Sequence, residues 1–486
     1  MLFNSHIFIF VFLPIALAGW FFLNGRKRYG LAQGFLVGMS LWFYAWMNPS
    51  HLWILLASCL IGYGLCEWMD RVRGTAAGKA VLAAGCFFHL GTLGYFKYSN
   101  FFLENVNAVL RTDFAMVSVI LPVGISFYTF QQMAYLIDRW KGEEERCSLL
   151  DYLTFMLYFP QILQGPILLG KELIPQLHEE KRRQFDAQRF AEGIRLFVMG
   201  LAKKVLLADS LAKPVNFGYE NVASLDSISA ILLAAGYLTE LYFDFSGYCD
   251  MAMGLGRMFG IEVAQNFDSP FKSASVKEFW RRWHITLGRF FTRYVYIPLG
   301  GSRRGKGRTI LNTLIVFTLS GLWHGAAWTF VFWGFLHGIA VAFDSLGALR
   351  LPKKWMHQAL TFVYVCLAFV FFRASTIGEG FAILRAMIVP KWNGFLFRMA
   401  EALDPSEFYV LTKAASLGAP ALLPWINLIL LLLLIGICAV VLAAQNAPAI
   451  VQEGVYSKKA AFLTACLFAW SVLGMTGVST YLYFNF

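Results

Sequence analysis

Charge is what this sequence has least of. Only 14% of its 486 residues are Asp, Glu, Lys or Arg, where a soluble domain carries about 25%. So sparse a supply cannot cover a globular surface with polar groups, which argues against an ordinary soluble enzyme. The common catalytic loops are also missing. There is no Walker A loop, no G-x-S-x-G elbow, no H-E-x-x-H pair and no dinucleotide fingerprint, so the chemistries those motifs carry have no foothold here. The eight cysteines include no C-x-x-C pair. Most lie in apolar runs and read as small core residues, not as zinc ligands or a disulfide framework. No metal is expected. Nor is there an internal repeat of the transporter kind.

What is abundant is apolar surface. Hydrophobic residues make up 58% of the chain and aromatics 17%, in runs long enough to cross a bilayer, which takes about 20 residues. Candidate spans fall at 6–23, 30–47, 51–69, 79–96, 118–137, 149–168, 190–208, 227–247, 309–345 (a helical pair), 358–373, 425–444 and 460–477. The first reads as a retained span: no basic region precedes it and no A-x-A-like site comes after it. Pro160, Gly165 and Pro166 mark 149–168 as broken or re-entrant, which is tolerable only where protein or a cavity covers the backbone. The fold class expected is therefore an all-α polytopic membrane protein, a single integral membrane domain over 1–486. Its parts are N-terminal helices (1–150), a central core (151–346) and C-terminal helices with an aromatic tail (347–486).

The net charge of +12 reads as positive-inside loops, not as a nucleic-acid surface. Arg26, Lys27 and Arg28, then Arg71, Arg73 and Lys79, then Lys353 and Lys354, and finally Lys458 and Lys459 can all be placed in the cytoplasm. That choice puts both termini, and the loop 374–424, outside. The loop has room for a short interfacial helix. The stretch 171–205, with Glu179, Glu180, Lys181, Arg182 and Arg183 together, reads as a solvated cytoplasmic connector.

Two histidines stand out. His324 lies in Ser-Gly-Leu-Trp-His-Gly-Ala-Ala-Trp (320–328), within an apolar helical pair. An ionisable group at membrane depth is costly and points to function, and imidazole is suited to take a proton from a hydroxyl near neutral pH. A structural histidine bonded across helices is the alternative. His284 lies in Phe-Trp-Arg-Arg-Trp-His-Ile-Thr-Leu (279–287). At roughly 100° per residue, Phe279, Trp280, Trp283, Leu287, Phe290 and Phe291 share one face, Arg282, Arg289 and Arg293 lie opposite, and His284 and Lys277 sit at a boundary. This pattern predicts an interfacial amphipathic helix. From Phe271 to Arg308 there are ten Lys/Arg and one acid, Glu278. Such a segment suits anionic lipid headgroups or an anionic acyl donor such as coenzyme A. Glu240 and Asp244 share a helix face. With Asp250 they could line a polar cavity or pair with an arginine of the basic segment.

Several runs carry a family resemblance. They are Tyr242-Phe-Asp-Phe-Ser-Gly-Tyr-Cys-Asp-Met-Ala-Met-Gly, Asn266-Phe, Glu278-Phe-Trp-Arg-Arg-Trp-His-Ile-Thr-Leu, Tyr296-Ile-Pro-Leu-Gly-Gly and Leu322-Trp-His-Gly. In this order they resemble the core of bacterial membrane-bound O-acyltransferases (MBOAT), in the branch that O-acetylates alginate or peptidoglycan. Phe159-Pro-Gln-Ile-Leu-Gln-Gly-Pro-Ile resembles the family's broken-helix motif, with Gln164 where a smaller residue is expected.

The resemblance implies a ring of helices around a central funnel, with His324 as the catalytic histidine and His284 as a second. It also implies acetyl-CoA entering from the cytoplasm near Lys277, Trp280, Arg281 and Arg282. The tail Thr480-Tyr-Leu-Tyr-Phe-Asn-Phe resembles an aromatic motif in which a tyrosine, here Tyr483 by position, carries the acyl group as a phenolic ester. Tyr481 is the competing candidate, and an interfacial aromatic anchor is the alternative role. The expected setting is a bacterial cytoplasmic membrane, with the C-terminus outside. The expected partners are membrane lipid, a serine-hydrolase-like extracytoplasmic acetyltransferase and a polysaccharide acceptor. Transfer of D-alanine or another acyl group, and transport of a donor without covalent chemistry, remain the alternatives.

Overall fold

The computed structural model describes residues 1–347, 351–453, 457–475 and 479–482. Among them the secondary structure is helical throughout, apart from an isolated bridge between Phe267 and Trp283. Six helices among the described residues are long and apolar enough to cross a membrane: Phe8–Gly25, Pro49–Arg71, Ala76–Leu110, Ser227–Phe259, Lys354–Arg373 and Pro420–Ala443. This is the architecture of a multi-pass membrane protein. Other expected spans are shorter helices. Tyr29–Ala45 and Ile125–Lys141 have 17 residues each, about 25 Å at 1.5 Å per residue, which falls short of a hydrocarbon layer of about 30 Å. The helical pair expected over 309–345 is present as Lys306–His324 and Trp328–Ser345. The 374–424 loop holds the short helices Ile377–Ile388, Phe395–Glu401 and Tyr409–Gly418.

The chain divides into two compact units. The first comprises Met1–Phe197 and Met251–Gln265. Its centre is a cluster of phenylalanine rings, Phe3, Phe8, Phe12, Phe43 and Phe159, with neighbouring centroids 5.0–6.5 Å apart. Such rings contribute through burial and through edge-to-face packing. The predicted break is here: the helix Leu149–Leu157 stops, and residues 158–169 continue without regular helix yet fully buried. Gly124, at φ +76°, lets the Ile162 carbonyl come so close that a Cβ there would lie 2.4 Å from its oxygen. Gln164 is completely buried in this segment.

The second unit comprises Val198–Asp250 and Asn266–Phe486 and contains every candidate site residue that is described. Its Lys306–His324 and Trp328–Ser345 helices cross at two glycines. A Cβ on Gly321 would lie 2.2 Å from the Phe330 carbonyl oxygen, and one on Gly334 would lie 2.3 Å from that of Phe317. Missing side chains thus let the backbones touch, and the close crossing sets where His324, one turn beyond Gly321, is held.

Candidate functional site

The 276–291 region departs from the predicted continuous amphipathic helix. Ser275 caps a first short helix, Val276–Arg282, accepting from the Glu278 N–H while the Glu278 carboxylate accepts from the Ala274 N–H. This is the reciprocal pattern of a capping box, shifted by one residue. The chain then breaks at Trp283 and His284, and a second helix runs Ile285–Phe291. His284 sits at φ +49°, a left-handed conformation that strains a residue with a Cβ by roughly 1–2 kcal/mol. Residues 266–268 hold the break open. The Ile285 N–H donates to the Asn266 carbonyl at 3.0 Å and the Asp268 N–H to that of Arg282 at 2.9 Å. The break turns Trp283 and His284 inward, at 4% and 1% exposure. His284 is therefore a core residue, not a boundary residue. Phe279, Leu287, Phe290 and Phe291 are likewise buried in protein.

The Asn266 side chain organises the start of the second helix. Its Oδ1 accepts from the Thr286 N–H at 3.0 Å and from the Thr286 hydroxyl at 2.9 Å, and it lies 3.2 Å from His284 Nδ1. A backbone N–H can only donate, so this atom is the amide oxygen, and Nδ1 must carry the proton. The lone pair of His284 is then on Nε2. Burial pushes the imidazole down to about 3, so it is neutral at physiological pH. The Phe245 ring meets it edge-on at 4.8 Å.

His284 and His324 come together, with ring centroids 6.3 Å apart. His324 ends its helix at 4% exposure. Trp323, Trp333 and Phe372 surround it with centroids 5.0–5.3 Å away. Aromatic walls of this kind exclude water and hold the imidazole by packing. A third histidine, His337, lies across Trp333 at 5.0 Å and is fully buried. Its Nδ1 accepts from Trp280 Nε1–H at 3.2 Å. No motif in the sequence singles out His337. Its placement did offer a signal: it lies in an apolar helix one turn after Trp333, on the same face as that tryptophan.

Of the residues expected near the donor, Trp280 is committed inward to His337. Arg282 pairs with Glu278 at 2.9 Å and Asp268 at 3.7 Å. The backbone N–H of Lys277 donates to Asp344 at 2.9 Å. Arg281 is exposed. So are Arg303 and Arg304 in the turn before the Lys306–His324 helix, and Lys306 and Arg308 in its first turn; the turn is held by the buried Asn312 amide donating to the Gly301 carbonyl at 2.9 Å.

Asp244 and Asp250 pair with lysines, not with arginines of the basic segment. Lys203 meets Asp250 at 2.6 Å. Lys204 meets Asp244 at 2.6 Å and Asp209 at 2.8 Å. Lys203 and Lys204, at 8% and 2% exposure, end the stretch expected to be a solvated connector, so its last residues are core. A buried cation needs a paired anion, which these aspartates provide. Glu240 is buried on the same helix. Tyr481 is buried beneath Lys204, whose Nζ lies 4.8 Å from the ring centroid. Tyr483 lies outside the described residues. No group of three or more His, Cys, Asp or Glu able to hold a metal ion occurs among the described residues.

Buried histidines caged by aromatics, in a chain with several membrane-crossing helices, mark a candidate active site in a polytopic membrane protein. The profile of the membrane-bound O-acyltransferase family, MBOAT, matches residues 141–384. The chain belongs to that family and is an O-acyltransferase. It is 38% identical over 420 residues to the peptidoglycan O-acetyltransferase of Helicobacter pylori, covering 80% of each chain. It is 38% identical over 402 residues to the probable alginate O-acetylase of Pseudomonas aeruginosa, covering 80% of this chain and 75% of that one. A more distant likeness, 26% over 268 residues, is to the teichoic acid D-alanyltransferase of Bacillus subtilis, covering 51% of this chain and 68% of the relative.

Proposed function

We propose that this O-acyltransferase takes an acetyl group from cytoplasmic acetyl-CoA and delivers it for O-acetylation of an extracytoplasmic polysaccharide, alginate-like or peptidoglycan. The observation that carries the reading is the His284–His324 pair, two buried imidazoles lying edge-on to each other among aromatic rings. The relatives named for alginate and peptidoglycan support acetyl as the acyl group and a polysaccharide as the acceptor. The weaker likeness to a D-alanyltransferase makes D-alanyl transfer the lesser reading.

In this mechanism His324 removes the proton from an acceptor hydroxyl as its oxygen attacks the thioester carbonyl. The C–O bond forms and the C–S bond breaks. The proton held on the imidazolium passes to the departing sulfur, so coenzyme A leaves as the free thiol. His284, fixed by Asn266 beside the same cage, would orient the reacting group. The exposed Arg281, Arg303, Arg304, Lys306 and Arg308 would meet the donor's phosphates, which suit guanidinium groups. The first acceptor would be Tyr483. A phenol titrates near 10 and needs a base, and its ester then donates the acyl group readily. An extracytoplasmic serine-hydrolase-like partner would pass the group to the polymer. This assigns the chain to a bacterial cytoplasmic membrane with its C-terminus outside.

The test is intact-mass measurement after incubation with isotopically labelled acetyl-CoA, with peptide mapping of the product. Label on Tyr483 that disappears in His324→Ala supports the whole sequence of steps. Polymer acetylation with no label on the protein would replace the tyrosine relay with direct transfer. Acetylation retained in a folded His324→Ala variant would remove the catalytic assignment.

A further inference from the structure

The cluster of Lys204, Asp209 and Asp244 holds more than its own charges. Lys204 Nζ also donates to the Thr480 carbonyl at 2.9 Å. Asp244 Oδ2 accepts from the Leu482 N–H at 3.0 Å. Asp209 Oδ2 accepts from the Ser479 hydroxyl at 2.6 Å. Between these contacts Tyr481 inserts fully, with Lys204 over its ring and Tyr248 edge-on at 5.1 Å. Three side chains from the 203–250 region thus grip the C-terminal segment at Ser479, Thr480 and Leu482.

The grip depends on register. A one-residue slip would remove Tyr481 from its slot and bring the wrong carbonyl and N–H to Lys204 and Asp244. It is also more than a charge network needs. Lys204 is already compensated by two carboxylates, and Asp244 by Lys204, so the additional bonds serve the tail.

We propose that Lys204, Asp209 and Asp244 form a receptor for the protein's own C-terminal segment, with Tyr481 as its anchor, and that they are positioning residues for acyl transfer. The tail tyrosines then divide the labour. Tyr481 is enclosed under a lysine and serves as the peg. The docking part stands on the contacts alone. The consequence for transfer rests on the proposed acyl-tyrosine relay.

The experiment uses the full-length protein in lipid nanodiscs. Hydrogen exchange of the C-terminal peptide is compared in wild type, Leu482→Pro, Leu482→Ala and Asp244→Asn. Leu482→Pro removes the donating N–H from the tail side and leaves the ion cluster intact, whereas Leu482→Ala keeps the N–H. Losing a hydrogen bond to a buried carboxylate should speed tail exchange by about tenfold or more in Leu482→Pro, with peptides from 198–250 unchanged and Leu482→Ala close to wild type. In the same preparations kcat for acetyl transfer should fall in Leu482→Pro and hold in Leu482→Ala, while KM for acetyl-CoA stays constant in both.

Tail exchange that is equal in wild type and Leu482→Pro would overturn the receptor. A freed tail with unchanged kcat would overturn the positioning role. If wild-type protein transfers no acetyl group at all, the reading of the function fails, and the exchange result still decides whether the cluster holds the tail.

Discussion

His284 and His324 meet edge-on with ring centroids 6.3 Å apart, although they are 40 residues apart in sequence. One is delivered by a broken helix, the other by the C-terminal end of an intact one. Both imidazoles are held by packing from several sides. If the pair is the reactive centre, His324→Ala should lower acetyl transfer by at least about a hundredfold, the scale of a lost general base. The thermal midpoint should shift far less than the rate. Comparing the turnover of purified variants with their melting curves checks this.

Asn266 has a different role, because it touches the site through others. Replacing it with Ala leaves the Thr286 N–H, the Thr286 hydroxyl and His284 Nδ1–H without their acceptor. Stability should fall by about 2–4 kcal/mol, read by denaturation in detergent. Activity should fall with it, because the His284 tautomer is no longer dictated.

At the crossing of Lys306–His324 with Trp328–Ser345, Gly321→Ala or Gly334→Ala would drive a methyl group into a carbonyl oxygen. The helices must separate, and His324 moves with them. The expected outcome is a loss of folded protein at a cost of about 1–3 kcal/mol or more, measured as a lower melting temperature. Ala substitution at Gly307, where a Cβ meets nothing, is the silent control.

Two groups outside the membrane spans set opposite pH slopes. His284 is pushed down to about 3 by burial, from an ordinary 6.5. It binds fewer protons folded than unfolded, so stability is complete above about 6.5 and declines as pH falls toward 3. Glu144 is pushed up to about 7 by burial, from 4.5. It holds its proton longer when folded, so its contribution is complete below 4.5 and is lost as pH rises to 7. Denaturation curves between pH 4 and 8 should show the acid-side slope flatten in His284→Gln and the other slope flatten in Glu144→Gln.

If Arg303 and Arg304 meet the phosphates of the donor, replacing both with Ala should raise KM for acetyl-CoA by roughly tenfold, with kcat little changed. Two solvent-exposed charge contacts justify no more than that. The effect should shrink as salt increases, because exposed charges are screened within about 10 Å. Steady-state kinetics at two ionic strengths decides it.

Much of this was legible in the residues. The helical pair at 309–345 and the break after Leu157 come from apolar run length and from proline and glycine placement; the cost of a polar group in hydrocarbon drew attention to His324, and the family resemblance to His284. The failures share a cause. The helical wheel for 276–293 assumed an unbroken helix, and residues 266–268, from a separate stretch of chain, pair with the break and turn His284 inward. Asp244 and Asp250 were matched to the nearest large group of arginines. Their partners, Lys203 and Lys204, lie well upstream, on another helix, in a stretch that looked solvated. His337 was missed because its partner, Trp280, belongs to a distant part of the chain.

By itself the sequence determined that this chain lives in a bilayer, that it is helical, and which side chains were too costly to bury without a purpose. These are properties of composition and local pattern, and each residue carries its share of them. Only the tertiary structure decided which buried groups meet: His284 with His324, Lys204 with Asp244 and the tail, Trp280 with His337. The reason is physical. Burial cost is a property of one residue, whereas its compensation is a contact between two, and chain topology, not local pattern, chooses the second.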